Sequence, residues 1–80
     1  MNTFECVRPI LVKMLSVNEE KITPNASLTN DLGADSLALV EISLAVEEQF
    51  GIRLDDEETF ALDTVQQIVD CIEAKTAVPV

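Results

Sequence analysis

Apolar residues recur every three or four positions through three stretches of the chain, the spacing that gathers side chains on one face of an α-helix. In the first stretch Phe4, Val7, Ile10, Leu11, Met14 and Leu15 form the stripe, and Thr3 stands where an N-cap is expected. Pro9 falls inside it. An interior proline removes one backbone donor and crowds the preceding turn, so the pattern predicts a kink, or a helix regular only from about Arg8. The second stretch runs from Ser36 to Phe50 and is stopped by Gly51, a residue suited to the left-handed position that ends helices. The last opens with Thr64-x-x-Gln67, which fits a capping box, and carries Val65, Ile68, Val69 and Ile72 to about Lys75. Thr76 to Val80 reads as a frayed tail, 77–80 included.

Two further segments fill the gaps. Val17 to Asp35 holds the turn formers Thr23-Pro24-Asn25 and Gly33, which predicts a long connection pinned by its own Val17, Ile22, Leu28 and Leu32. Its expected task is to hold the entrance to the second helix in register. Asp55-Asp56-Glu57-Glu58 complements a helix N-terminus, so a short helix is expected within Asp55 to Leu62, with Phe60 and Leu62 facing inward. No segment alternates with period two. The expected architecture is therefore all-α: one domain over 1–80, a small four-helix bundle of three longer helices and a short third one, with a long loop between the first two.

Wound at about 100° per residue, the second helix has two apolar stripes. Leu39, Ile42, Val46 and Phe50 suit a core, and Leu37, Val40 and Leu44 form a second line bordered by Glu41 and Glu48 on one side and Glu47 on the other. One buried face is enough for a helix, so the second line is either further core or a surface awaiting a partner. Apolar anchors rimmed by like charge favour the partner, because charge steers approach while small apolar contacts keep affinity modest.

Composition sharpens that picture. The 80 residues carry a net charge of -10, and from Ile22 to Thr76 twelve acids stand against two bases, Arg53 and Lys75. Such a field attracts basic protein patches and disfavours nucleic acid or anionic membrane surfaces. At this length only roughly 60–65% of the unfolded chain's surface is buried on folding, which leaves no room for a large enclosed active site. Neither a signal peptide nor an apolar run near the ~20 residues of a membrane span is visible, so a cytoplasmic monomer is expected. Cys6 and Cys71 lack zinc spacing and read as buried thiols. The acids of Asp31-Asp35 and Asp55-Glu58 do not form an EF-hand loop, which leaves weak surface cation binding as the most a calcium reading predicts.

The candidate chemistry centres on Ser36. Histidine is absent, so no Ser-His-Asp triad can form, and Gly33-Ala34-Asp35-Ser36-Leu37 lacks the second glycine of a nucleophile elbow. Ser36 is not expected to be a hydrolase nucleophile, and catalytic residues are expected to be none. A helix start does offer free N–H groups and the positive end of the helix dipole, which favour an attached phosphate. The plainer alternative is that Asp35 or Ser36 is only an N-cap.

Asp31-Leu32-Gly33-Ala34-Asp35-Ser36-Leu37, followed by Val40-Glu41 and Glu47-Glu48 with Phe50 closing the helix, resembles the discrete (type II) acyl carrier proteins. The likeness extends from Leu15-Ser16-Val17 through Thr64-Val65 to Ile72. It implies that Ser36 carries 4′-phosphopantetheine through a phosphodiester, with acyl chains held as thioesters on the terminal thiol. It also implies that Asp35, Leu37, Val40, Glu41, Leu44, Glu47 and Glu48 form the face read by phosphopantetheinyl transferase and by acyl transferases and ketosynthases with basic docking patches. Family members often shelter the acyl chain between the helices, which here implicates Leu39, Ser43, Val46 and Leu62. Ser43 departs from the apolar residue frequent at that position in fatty-acid carriers. Its hydroxyl either accommodates a more polar chain or faces solvent, and a serine in a helix is expected to face solvent.

Ala38 and Ser16 lean toward discrete polyketide carriers, whereas Gly33-Ala34-Asp35-Ser36-Leu37 and Glu47-Glu48 lean toward fatty-acid carriers, which stay slightly ahead. Peptidyl carriers fit less well, since they place glycine or histidine where Ala34 or Asp35 stands. A helical adaptor without a prosthetic group would keep the second stripe and leave Ser36 as a cap.

Overall fold

The computed structural model describes residues 2–76, and the expected tail at 77–80 lies outside the described residues. Four α-helices follow in order: α1 over Thr3–Leu15, α2 over Ser36–Phe50, α3 over Asp56–Ala61 and α4 over Val65–Thr76. A single 3₁₀ turn, Glu19–Lys21, interrupts the long connection after α1. Among the described residues no strand forms, and Ser27 and Thr64 make one isolated antiparallel bridge. The chain is all-α, as its periodicities predict.

Helix α1 begins earlier and runs more evenly than Pro9 predicts. Asn2, not Thr3, is its N-cap, with the side-chain oxygen accepting the Glu5 N–H at 2.8 Å. The helix continues through Pro9 to Leu15, and Ser16 leaves it in the left-handed conformation at φ 54. Three things hold the turn ahead of the proline: the Asn2 cap, the burial of Val7 and Leu11, and Arg8, which bonds Glu5 and Glu19, each at 3.0 Å. Pro9 itself is exposed, as is Glu5, the residue four positions back whose carbonyl the proline nitrogen cannot bond.

The core gathers the expected stripes. Val7 and Leu11 from α1, Leu39, Ile42 and Val46 from α2, and Val65, Ile68, Val69 and Ile72 from α4 are buried together. Helix α1 packs on both α2 and α4, and α3 packs on α2. Phe4, Ile10, Leu15 and Phe50 border the core, but Met14 is exposed at the outer edge of its stripe.

The connection between α1 and α2 is anchored rather than loose. Ile22, Leu28 and Leu32 are buried and Val17 packs against the core. Its backbone is stitched to the start of α4: Leu28 N–H donates to the Asp63 carbonyl at 2.7 Å, Val65 N–H to Ala26 at 3.2 Å and Gln66 N–H to Pro24 at 2.9 Å. Gly33, at φ 75, then turns the chain into the buried Ala34, whose N–H reaches back to the Leu28 carbonyl at 2.7 Å. The left-handed turn favours glycine here because it lacks a Cβ. This fixes the approach to Ser36 from two sides.

At α3 the expected extent and the inward Leu62 are found, and the expected inward Phe60 is not. Asp55 and Glu58 form a full capping box, and the helix ends before Leu62, which is buried. The inward residue is Thr59, whereas Phe60 is 53% exposed. Six residues give little room for a stripe, and Thr59 and Leu62 at i and i+3 take the inner face. Thr64 and Gln67 exchange the bonds of the expected capping box at 3.3 and 3.2 Å. Helix α4 reaches one residue past Lys75, where the Thr76 hydroxyl donates to the Ile72 carbonyl at 2.8 Å.

Candidate functional site

Ser36 is the first residue of α2 and is exposed. The residue that closes the turn is Asp35: its extended backbone and its carboxylate, which accepts the Ala38 N–H at 2.8 Å, make it the N-cap. Ser36 makes no side-chain hydrogen bond to the described residues. The first N–H groups of a helix have no acceptor within it, and the positive end of the dipole lies at the same point. An outward hydroxyl thus sits on a helix start whose capping is done by its neighbour.

From that point the two expected stripes diverge. Leu37 and Leu44 are exposed at 67% and 58%, Val40 is half-buried between them, and Glu41 and Glu48 lie exposed alongside. Spacings of three and four residues put these on one outer face of α2, with Asp35 at its head. Glu47 departs from the picture of a simple acidic rim. It is half-buried, and its carboxylate accepts the Leu54 N–H at 2.6 Å, tying the segment between α2 and α3 to α2.

The inner face holds the four residues expected to line the interior. Leu39, Ser43, Val46 and Leu62 are all buried. Ser43 does not face solvent: it is 4% exposed, and its hydroxyl lies 2.9 Å from Thr59 Oγ1, also at 4%. Thr59 was not among the expected site residues. Its one sequence signal is the i, i+3 spacing to Leu62, which the larger Phe60 beside it obscures.

The perturbed titrating groups lie away from Ser36. Lys75 and Glu58 pair at 2.9 Å between α4 and α3; the hydrogen bond from Lys75 lowers the Glu58 carboxyl, and the same bond raises Lys75. Burial pushes the Cys71 thiol up, which lowers its reactivity. Cys71 and Cys6 are half-buried rather than buried and are not joined in a disulfide. Among the described residues no group of acids and cysteines is arranged to hold a metal ion, and no helix is long and apolar enough to cross a membrane.

Residues 6–72 match the protein family described as a phosphopantetheine attachment site. The chain is 48% identical over 73 residues to an acyl carrier protein of Thermosynechococcus vestitus, covering 91% of this chain and 90% of that one. It is 44% identical over 72 residues to an acyl carrier protein of Petrotoga mobilis, covering 90% of this chain and 85% of the relative. The chain belongs to the acyl carrier protein family.

An acyl carrier protein is a carrier and not a catalyst, and its prosthetic group is 4′-phosphopantetheine. The role entails interaction with a phosphopantetheinyl transferase and with synthesis enzymes. The start of α2 fits such a group. It combines an outward hydroxyl, N–H groups unused by the helix and a dipole end that favours the negative charge of a phosphodiester.

Proposed function

We propose that Ser36 bears the 4′-phosphopantetheine arm and that the protein carries acyl intermediates as thioesters to the enzymes of fatty-acid synthesis, as a cytoplasmic monomer. The observation that carries this reading is the division of labour at α2: Asp35 caps the helix, and the Ser36 hydroxyl is left pointing outward. Bound there, the group supplies a terminal thiol for the acyl chain. The chain's own residues do the rest. Asp35 and the loop anchored on α4 hold Ser36 at the helix start, and the α2 N–H groups and dipole favour the phosphodiester charge. The exposed Leu37 and Leu44 and the half-buried Val40, with Glu41 and Glu48, offer basic enzymes an apolar contact under an acidic field. With no histidine in the chain, activation of the Ser36 hydroxyl falls to the transferase.

A second reading, the same role in a discrete polyketide pathway, gains support from one observation. Ser43 is buried against Thr59, which gives the interior a polar spot that a saturated chain does not use. The carrier role is tested by incubating the protein with coenzyme A and a phosphopantetheinyl transferase and titrating thiols under denaturing conditions. One thiol beyond Cys6 and Cys71 is expected. No added thiol would favour the helical adaptor.

A further inference from the structure

Helix α1 packs on α2, and between them lies an open groove of about 500 Å³ lined by Ile10, Lys13, Met14, Ala45, Glu48 and Gln49. Its apolar lining is Ile10 and Ala45, both half-buried, with Met14, the exposed member of the α1 stripe. Lys13 stands on the α1 side and Glu48 on the α2 side. Both are exposed, and neither is in an ion pair among the described residues. The carrier reading leaves this groove unused, sharing with it only Glu48.

Charge decides what kind of partner fits. Up to Lys21 three acids stand against three bases, so the whole net charge of -10 lies beyond that residue. The α1 wall therefore lacks the field that draws basic enzymes to the outer face of α2, and Lys13 repels a uniformly basic surface. A uniformly acidic surface meets Glu48, and a second copy brings a further charge of -10. An amphipathic helix satisfies both walls when its apolar stripe lies along the groove, its acidic edge against Lys13 and its basic edge against Glu48. Helices dock in such grooves through anchors three and four residues apart, and flanking charges of opposite sign set their direction.

We infer that the groove between α1 and α2 is a second docking surface, which takes an amphipathic helix of a partner protein. Ile10, Met14 and Ala45 receive its apolar stripe, and Lys13 and Glu48 pair with its two charged edges. Methionine suits such a surface, because its flexible side chain repacks around the anchor it meets. The surface needs neither Ser36 nor the arm, so it stands apart from the carrier reading.

The test titrates the full chain, followed by its amide NMR signals, with two synthetic peptides of about 20 residues, long enough to be helical. Both carry the same leucine stripe; one has a glutamate edge and a lysine edge, the other lysine on both edges. The mixed-edge peptide is expected to move the amides of Lys13, Met14, Ala45 and Gln49, and to bind there roughly threefold to tenfold more tightly than the all-lysine peptide. Lys13→Glu is expected to weaken the mixed-edge peptide by a similar factor. Lys21→Glu, the same charge change outside the groove, is expected to leave it within about twofold. Met14→Asp, also at an exposed position, is expected to abolish binding and serves should Lys13→Glu fold poorly. Shifts centred elsewhere, no binding of the mixed-edge peptide, or equal losses in the Lys13 and Lys21 variants overturn the inference and leave the carrier role standing. So does self-association in sedimentation that Lys13→Glu removes, which assigns the groove to a second copy.

Discussion

The carboxylate of Asp35 accepts the Ala38 N–H at 2.8 Å, so the residue beside Ser36 closes the first turn of α2. Two tasks that a lone serine at a helix start would have to combine are thereby separated between neighbours. Asp35→Ala is expected to destabilise the fold by about 0.5–2 kcal/mol, with Asp35→Asn much milder, because asparagine is an equally good cap. Urea unfolding of the two variants checks this; equal losses would show that the charge of Asp35 matters more than its cap.

Glu41, Glu47 and Glu48 are alike in sequence and unlike in structure. Charge reversal at the exposed Glu41 or Glu48 is expected to slow association with a basic partner enzyme and to leave the melting temperature nearly unchanged. Glu47→Ala is expected to cost about 1 kcal/mol of stability, since it removes the acceptor of the Leu54 N–H. Association rates by stopped flow, paired with thermal melts, separate the two classes. Unchanged rates for the Glu41 and Glu48 variants would remove the outer face of α2 from partner recognition.

The fold was legible where one stripe per helix settles the matter, as in α4 and in the inner line of α2, and where a local signal ends an element, as at Gly51 and at the Thr64-Gln67 box. It was not legible where a partner distant in sequence decides. Ser43 reads as a solvent-facing serine until Thr59, sixteen positions on, is brought against it. Glu47 reads as a rim acid until Leu54 folds back onto it. The short α3 differs for another reason: Phe60 reads as an inner residue, but the phase set by the Asp55–Glu58 box puts Thr59 there. At α1 the proline's local penalty was overruled by the Asn2 cap and the Arg8 ion pairs.

Acid should expose the Glu58–Lys75 pair. The Lys75 hydrogen bond holds the Glu58 carboxyl below its ordinary value, so its contribution is complete above the unfolded carboxylate pKa of about 4.3 and is lost as pH falls through the folded value. Lys75 is raised, so its part is complete below about 10.4 and is lost as pH climbs through its folded value. Glu58→Gln is expected to flatten stability against pH below about 4.3 relative to the unaltered protein. Parallel acid titrations by circular dichroism check it, and coincident curves would leave the pair without a role in acid stability.

With a net charge of -10 the folded state repels itself. Moderate salt or millimolar divalent cations are expected to raise the melting temperature. A salt titration in which the temperature stays level or falls would show that the ion pairs of Arg8 and Lys75 outweigh the repulsion they interrupt.

We propose that Ser36 is a tether and performs no catalysis. The most direct measurement of this is mass spectrometry of the protein after coenzyme A and a phosphopantetheinyl transferase, at the intact level and after fragmentation, beside Ser36→Ala. One phosphopantetheine arm localised to Ser36, and none on the variant, is the result expected. An arm on another residue, an arm retained by Ser36→Ala, or no arm on the unaltered chain would contradict it.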